Sequence, residues 1–467
     1  MKVYRITNFI IVALVITAIY QTGELWLEGT SGHNFFYALT KQLSFGKEEA
    51  DGDVLLATRY AVGEGEGTFS VYYPDNVGNS TLLETANKAL GEILSQTPQK
   101  TTADWKKILA ARCIVMQYDF MIASEEYLEN YKDLKTNQKL EQFDYITIVP
   151  ARRSGEESYA YFVNSDTNEC VAFHCEGGGA SVALYDSLMA DDGDMRYIST
   201  GQRTSASVLW RNMFLPQWAY LPYEYAALEQ EFAFEKDGEP SRAALENTVK
   251  NFFRNFSVDW SERDEDGTYT FSDSQTVVKY RPDVRMLEYY SYENYAGNDR
   301  TGLLEGYQIC CNFLKNDDSL QTDIYLADIE RTINNEVVYY FDYAVGNLPV
   351  NLSQNVKDRI GASHAIEVTL RNQAVKEYHR YAVNFSEATE KNQKINVQFI
   401  DALDDANKTY KAVVEDKDIT DVKNIALGYH VDLTGDIRLK WFVTLYEYTF
   451  VVDTEQEKDL TGVMAGE

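Results

Sequence analysis

Cys170 and Cys175 flank His174, and thiolate and imidazole are the side chains that zinc prefers. The C-x4-C spacing is poor for such a site and no fourth ligand lies nearby, so no metal is expected. The adjacent Cys310-Cys311 pair is no ligand spacing either. With Cys113 the cysteines number five, an odd count that internal disulfides cannot use up. They read as buried thiols in a chain that depends little on disulfides. The five histidines, His33, His174, His364, His379 and His430, sit apart from one another. His379 and His430 fall in expected strands and read as surface or core-edge residues. Hydrolytic motifs are missing: there is no G-x-S-x-G, S-x-x-K or H-E-x-x-H. Ser154 follows Arg152-Arg153 with no base placed beside it. The run Gly63-Glu64-Gly65-Glu66-Gly67 looks like a phosphate loop only superficially, because its two carboxylates would repel phosphate and no helix start follows. A hairpin loop is the better reading. A glycosidase needs two carboxylates at a set separation, and no spacing among the 73 acidic residues marks such a pair. No catalytic, cofactor-binding or metal-binding residue is expected.

The elements that would carry these residues read as α+β. Leu82, Leu83, Ala86, Leu90, Ile93 and Leu94 share one helical face, with Asn79 or Ser80 as cap and Pro98 beyond the end. Trp105, Ile108 and Leu109 suggest a short helix. Strand-like runs include 54–62, 68–73, 113–120, 145–150 and 159–164. Residues 212–225, with Pro216 and Pro222, read as an irregular aromatic stretch. Asp237-Gly238-Glu239-Pro240 is the clearest boundary. Behind it Ala244, Leu245, Thr248, Val249, Phe252 and Phe253 form a second helical stripe. Asp266-Gly267 marks a hairpin, with strands at 268–271, 277–280 and 284–290, a helix over 302–314 and a strand at 337–343. Further strands are expected at 365–370, 377–385, 425–432 and 438–452, while 391–403 and 409–414 are ambiguous.

The expected organisation is a cytoplasmic terminus (1–5), a membrane anchor (6–27), a linker (28–52) and about three outer α+β domains with antiparallel sheets (53–236, 237–355 and 356–455), then a tail (456–467). The last two outer domains share an order of helices followed by strands. The anchor rests on Lys2 and Arg5, an apolar run from Phe9 to Tyr20, and Trp26 where a helix would leave the bilayer. Counted from Ile6 to Leu27 it reaches the roughly 20 residues a span needs. Its exit is bulky and polar, without the small residues of a cleavage site. The basic flank predicts a cytoplasmic N-terminus and an extracellular bulk. That bulk is acidic: the chain's net charge is -30. Such a charge argues against nucleic acid, whose binding relies on Lys and Arg.

Several segments resemble the YycH family. They are Phe252-Phe253-Arg254-Asn255-Phe256-Ser257, residues 266–273, 277–280 and Leu287-Glu288-Tyr289. Tyr340-Phe341-Asp342-Tyr343 running into Gly346-Asn347-Leu348-Pro349-Val350 is similar too, as are 366–370 with 375–380. Leu427-Gly428-Tyr429 and Trp441 resemble the part that the family shares with YycI, and the exit Gln21 to Trp26 is similar to the family's. The resemblance implies a non-enzymatic extracytoplasmic regulator of a WalK (YycG) sensor histidine kinase, as found in Firmicutes, with a YycI-like protein as partner and cell-wall metabolism as output. In that reading the anchor is itself a helix–helix contact, through Ile10, Leu14, Thr17, Gln21, Thr22 and Trp26. An alternative is an anchored surface protein that binds or hydrolyses a wall glycan or peptide. Its motive is the 34 tyrosines, which favour recognition surfaces.

Overall fold

The computed structural model describes residues 55–455, except 66, 75–79, 96–98, 130, 132–139, 189–195, 204–206, 219–221, 237–238, 254–259, 266, 293–299, 333–334, 415–416 and 418. The expected anchor, linker and tail, and the turn residues Asp237, Gly238 and Asp266, lie outside the described residues.

Alternation of apolar side chains builds the first sheet. Ile114, Met116, Ile146 and Ile148 point into one core, while Cys113, Val115 and Tyr145 point into another. This is the two-residue period of a sheet buried on both faces. Its nine strands run, in spatial order, Gln99–Thr102, Glu169–Glu176, Glu157–Asn164, Gln142–Val149, Cys113–Ala123, Arg59–Gly63, Phe69–Tyr72, Arg196–Ser199 and Phe214–Gln217, each antiparallel to its neighbours. The amphipathic helix Ser80–Leu94 buries Ala86, Ala89, Leu90, Ile93 and Leu94 in the first of these cores. The Trp105–Ile108 helix, capped by Asp104, joins the second through Trp105, which meets the Tyr145 ring edge-on at 5.4 Å.

A second, 12-stranded sheet takes its strands from residues 260–453. In order these are Trp260–Arg263, Tyr269–Ser272, Thr276–Arg281, Met286–Ser291, Ala374–Tyr381, Ile366–Arg371, Val337–Val345, Leu348–Leu352, Val422–Val431, Ile437–Leu445 and Tyr448–Asp453, with Ile324–Arg331 paired to Val337–Val345. The Leu348–Leu352 and Val422–Val431 strands pair in parallel and the other pairs are antiparallel. One hydrogen-bonded sheet therefore takes neighbouring strands from both sides of residue 355. Gly346 and Asn347 both have positive φ, 56° and 63°, which is what a two-residue hairpin turn demands. The helix Leu303–Leu314 crosses this sheet at Gly306, where a Cβ would stand 2.2 Å from the Tyr339 hydroxyl. That hydroxyl donates to the Leu303 carbonyl at 2.6 Å.

Several expectations change: the single strands expected over 377–385 and 438–452 are each two, broken at Ala382 and at Tyr446-Glu447. Residues 212–225 are not irregular: they hold the Phe214–Gln217 strand and the start of Tyr223–Phe232, which pairs with Val383–Ile395 as a separate ribbon. Pro216 is tolerated because its strand is a sheet edge. The strand expected over 54–62 is confined to Arg59–Gly63. The ambiguous stretch 391–403 divides between strand up to Ile395 and the helix Phe399–Val413.

Candidate functional site

The side chains that could do chemistry are held apart. Cys170 and Cys175 lie five residues apart on one strand and so point to opposite faces. Cys170 is buried with Cys113, Cys175 is half-buried, and all five cysteines are free. Burial pushes the Cys113 and Cys170 thiols up to about 12, which leaves them protonated and inert. His174 stacks on Tyr159 and lies 3.3 Å from the Gln99 amide nitrogen. His379 packs against Tyr290, and His430 against Phe442. Burial and then Lys440 hold His430 below the usual imidazole range. His364 is the most engaged of the described histidines: its Nδ1 is 2.8 Å from Asp342, whose other oxygen accepts the Ala365 N–H. Burial opposes the Asp342 charge, but His364 outweighs it, so the carboxyl sits below its usual value. Ser154 is exposed in a turn. Among the described residues no three His, Cys, Asp or Glu side chains converge as a metal donor set. None of their helices is long and apolar enough to cross a membrane. Ile10, Leu14, Thr17, Gln21, Thr22 and Trp26 lie outside the described residues.

The structure gathers charge where sequence patterning gave no sign of it. Arg380 and Asp317 are fully buried and pair at 2.8 Å. A second group joins the two sheets. Arg211 forms a two-pronged pair with Asp421, at 3.0 and 3.1 Å, and also contacts Asp166 and the Ser165 carbonyl. Arg300 and Arg331 both pair with Glu126. Thr58 donates to the Leu326 carbonyl at 3.1 Å, and Tyr73 stacks edge-on against Tyr325. A cavity of about 180 Å³ lies among Phe232, Arg285, Arg359, Tyr381, Asp432 and Gly435. Its cations are already occupied. Arg285 pairs with Glu235 and lies 3.6 Å over Phe232, and Arg359 donates to the Asp283 carbonyl. These arrangements satisfy charges and brace turns; they present no nucleophile with a base.

The seam carries a measurable pH signature. Asp144 accepts both the Ser165 N–H and its hydroxyl, and the Ser165 carbonyl accepts from Arg211. Burial raises its pKa to about 6 despite those hydrogen bonds. The folded state then holds a proton that the unfolded chain gives up near pH 4. This group's contribution is present below the unfolded value and is lost as pH rises through about 6. Urea titrations from pH 4 to 7 should show a falling component of stability that Asp144→Asn removes. An unchanged slope in the variant would show that Asp144 ionises normally.

No family model matches the chain, and no curated protein does. Three solved structures are similar to it. YycH from Bacillus subtilis aligns over 85% of this chain and 96% of its own, at 12% identity and a TM-score of 0.48. An uncharacterized protein from Eubacterium rectale aligns over 55% of this chain and 88% of its own, at 10% identity and a TM-score of 0.34. The C-terminal domain of YpeB from Bacillus megaterium aligns over 46% and 93%, at 11% identity and a TM-score of 0.25.

Proposed function

We propose that this protein is a membrane-anchored, extracytoplasmic regulator that modulates a WalK-type sensor histidine kinase together with a YycI-like partner. One observation carries the reading. The YycH-like segments 277–280, 287–289, 375–380, 366–370, 340–343, 346–350 and 427–429, with Trp441 and the described part of 266–273, fall on nine consecutive strands of the second sheet, while Phe252 and Phe253 of the segment 252–257 lie in the helical turn that precedes it. Their order along residues 252–441 is what the resemblance rests on. Trp441 is buried on the penultimate strand, Ile437–Leu445, and donates to the Val397 carbonyl at 3.0 Å. Gly428 is required by close approach, since a Cβ there would stand 3.0 Å from the Pro349 carbonyl across the parallel strand pair.

In this reading the outer sheets bias a two-state kinase through the anchor, which packs against kinase helices. A ligand or partner shifts such an equilibrium only by its differential affinity for the two states. A coupling of about 1–3 kcal/mol corresponds to a change in output of about 5- to 150-fold. The expected result is co-purification of the full chain from mild detergent with a histidine kinase or a YycI-like protein, and altered wall-hydrolase transcription on deletion. Recovery of neither partner, with transcription unchanged, rejects the reading.

A further inference from the structure

Exposed sheet edges invite pairing with other chains, and proteins blunt them with short strands, Lys, Pro, charges or bulges. Three edges of this protein are blunted in that way. Gln99–Thr102 is four residues long and contains Lys100. Phe214–Gln217 contains Pro216, and Trp260–Arg263 is short and charged. The remaining end of the second sheet is different. Tyr448-Thr449-Phe450-Val451-Val452-Asp453 has neither Lys nor Pro, and its register runs without a bulge from Leu445↔Tyr448 to Lys440↔Asp453. Tyr448 is 42% exposed and Val451 45%. Among the described residues no strand pairs with its outer side. The strand is also held firmly. Tyr446 turns the chain into it and its hydroxyl accepts the Thr420 N–H. At the far end Thr454 donates to the Leu439 carbonyl and accepts from the Asn396 and Val397 N–H groups. A pre-set edge of this kind lowers the ordering cost of adding a strand.

The charges around the edge select what it can take. Glu447 lies exposed at one end and Glu455 at the other, while Asp453 is already paired with Lys440 of the neighbouring strand. A second copy would bring carboxylates opposite carboxylates in antiparallel and parallel alignment alike, between two chains of net charge -30. We propose that the Tyr448–Asp453 edge binds an extended segment of a different protein, with alternating apolar side chains and basic residues at its ends. Main-chain hydrogen bonds supply the affinity, and the flanking carboxylates select the partner. This surface stands independently of the kinase reading.

The test uses the full chain in detergent and a labelled synthetic strand of alternating Val and Thr with Lys at both ends. Binding should weaken at least tenfold in Val451→Lys and in Tyr448→Lys, weaken with added salt, and be at least tenfold poorer for a probe ending in Glu. Both substitutions are at exposed positions, and an unchanged melting curve confirms that the variants fold. Absence of binding, or binding indifferent to Val451→Lys and to the probe's end charges, overturns the proposal. So does a self-associated chain whose dimer Val451→Lys dissolves. Binding seen only after removal of residues 456–467 also overturns it, by assigning the edge to the chain's own end.

Discussion

Asp317→Ala should lower the unfolding free energy in urea by about 3–5 kcal/mol, the cost typical of stranding one member of a buried ion pair. The geometry explains why the loss is large. Asp317 Oδ2 accepts from Arg380 at 2.8 Å and from the Tyr378 hydroxyl at 2.7 Å, while Oδ1 accepts from the Ser319 hydroxyl and N–H. Arg380 spends its remaining donors on the Tyr343 hydroxyl, the Ser319 hydroxyl and carbonyl, and Asn384. Every charge is matched, so removing one leaves an unpaired guanidinium that is fully buried away from solvent. The double variant Asp317→Leu with Arg380→Met tests whether the pair or the network matters. Buried pairs can often be exchanged for apolar packing at little cost. Here the Tyr378 hydroxyl and the Ser319 groups would still lose partners, at about 1–3 kcal/mol for each buried polar group left unsatisfied. The double variant should therefore stay below the parent; full recovery would show that the network adds nothing beyond packing.

This network also marks the limit of what could be read from the chain. Asp317 and Arg380 are 63 residues apart, and a lone Arg in a strand pattern looks the same whether it faces water or core. Elements fixed by local periodicity were legible. The stripe at Leu245, Thr248 and Val249 is buried as its spacing demands, and Ser241 caps its helix by accepting from the Ala244 N–H. The Leu303–Leu314 helix lies within one residue of its expected limits. Turn chemistry was legible too: Gly267 takes φ 90° and donates to Asp264 in the expected hairpin. What failed was the Tyr223–Phe232 strand, whose glutamates at 224, 229 and 231 and nearby Pro222 look like loop. Its partner Val383–Ile395 lies some 160 residues away in sequence and lets the charged positions face outward, a tertiary decision that no window contains. The resemblance supplied the functional reading because its segments are ordered over a long span. The charged seam of Arg211, Glu126, Arg300 and Arg331 had no sequence signal, since single surface charges are what any soluble chain shows.

Exchanging residues 6–27 for an unrelated apolar span, with Lys2 and Arg5 kept, should leave the outer unit folded while kinase output moves toward that of the deletion. The first half of this expectation follows from the core, which is built from residues running from Leu55 to Leu445. The melting curve of the outer unit should therefore not move. The second half follows from the proposal that the anchor itself touches the kinase. The whole regulatory effect is then carried by helix contacts, and the chimera should lose most of a change of about 5- to 150-fold. A chimera that regulates fully would show that the anchor only tethers and that the outer sheets make the contact. Gln21→Leu with Thr22→Val separates two uses of the polar exit. Polar side chains between membrane helices contribute about 0.6–2 kcal/mol through hydrogen bonds, so regulation should fall several-fold if both face a partner helix. In the headgroup zone the same pair of changes removes only groups that water already satisfies, and output should stay at the parent level.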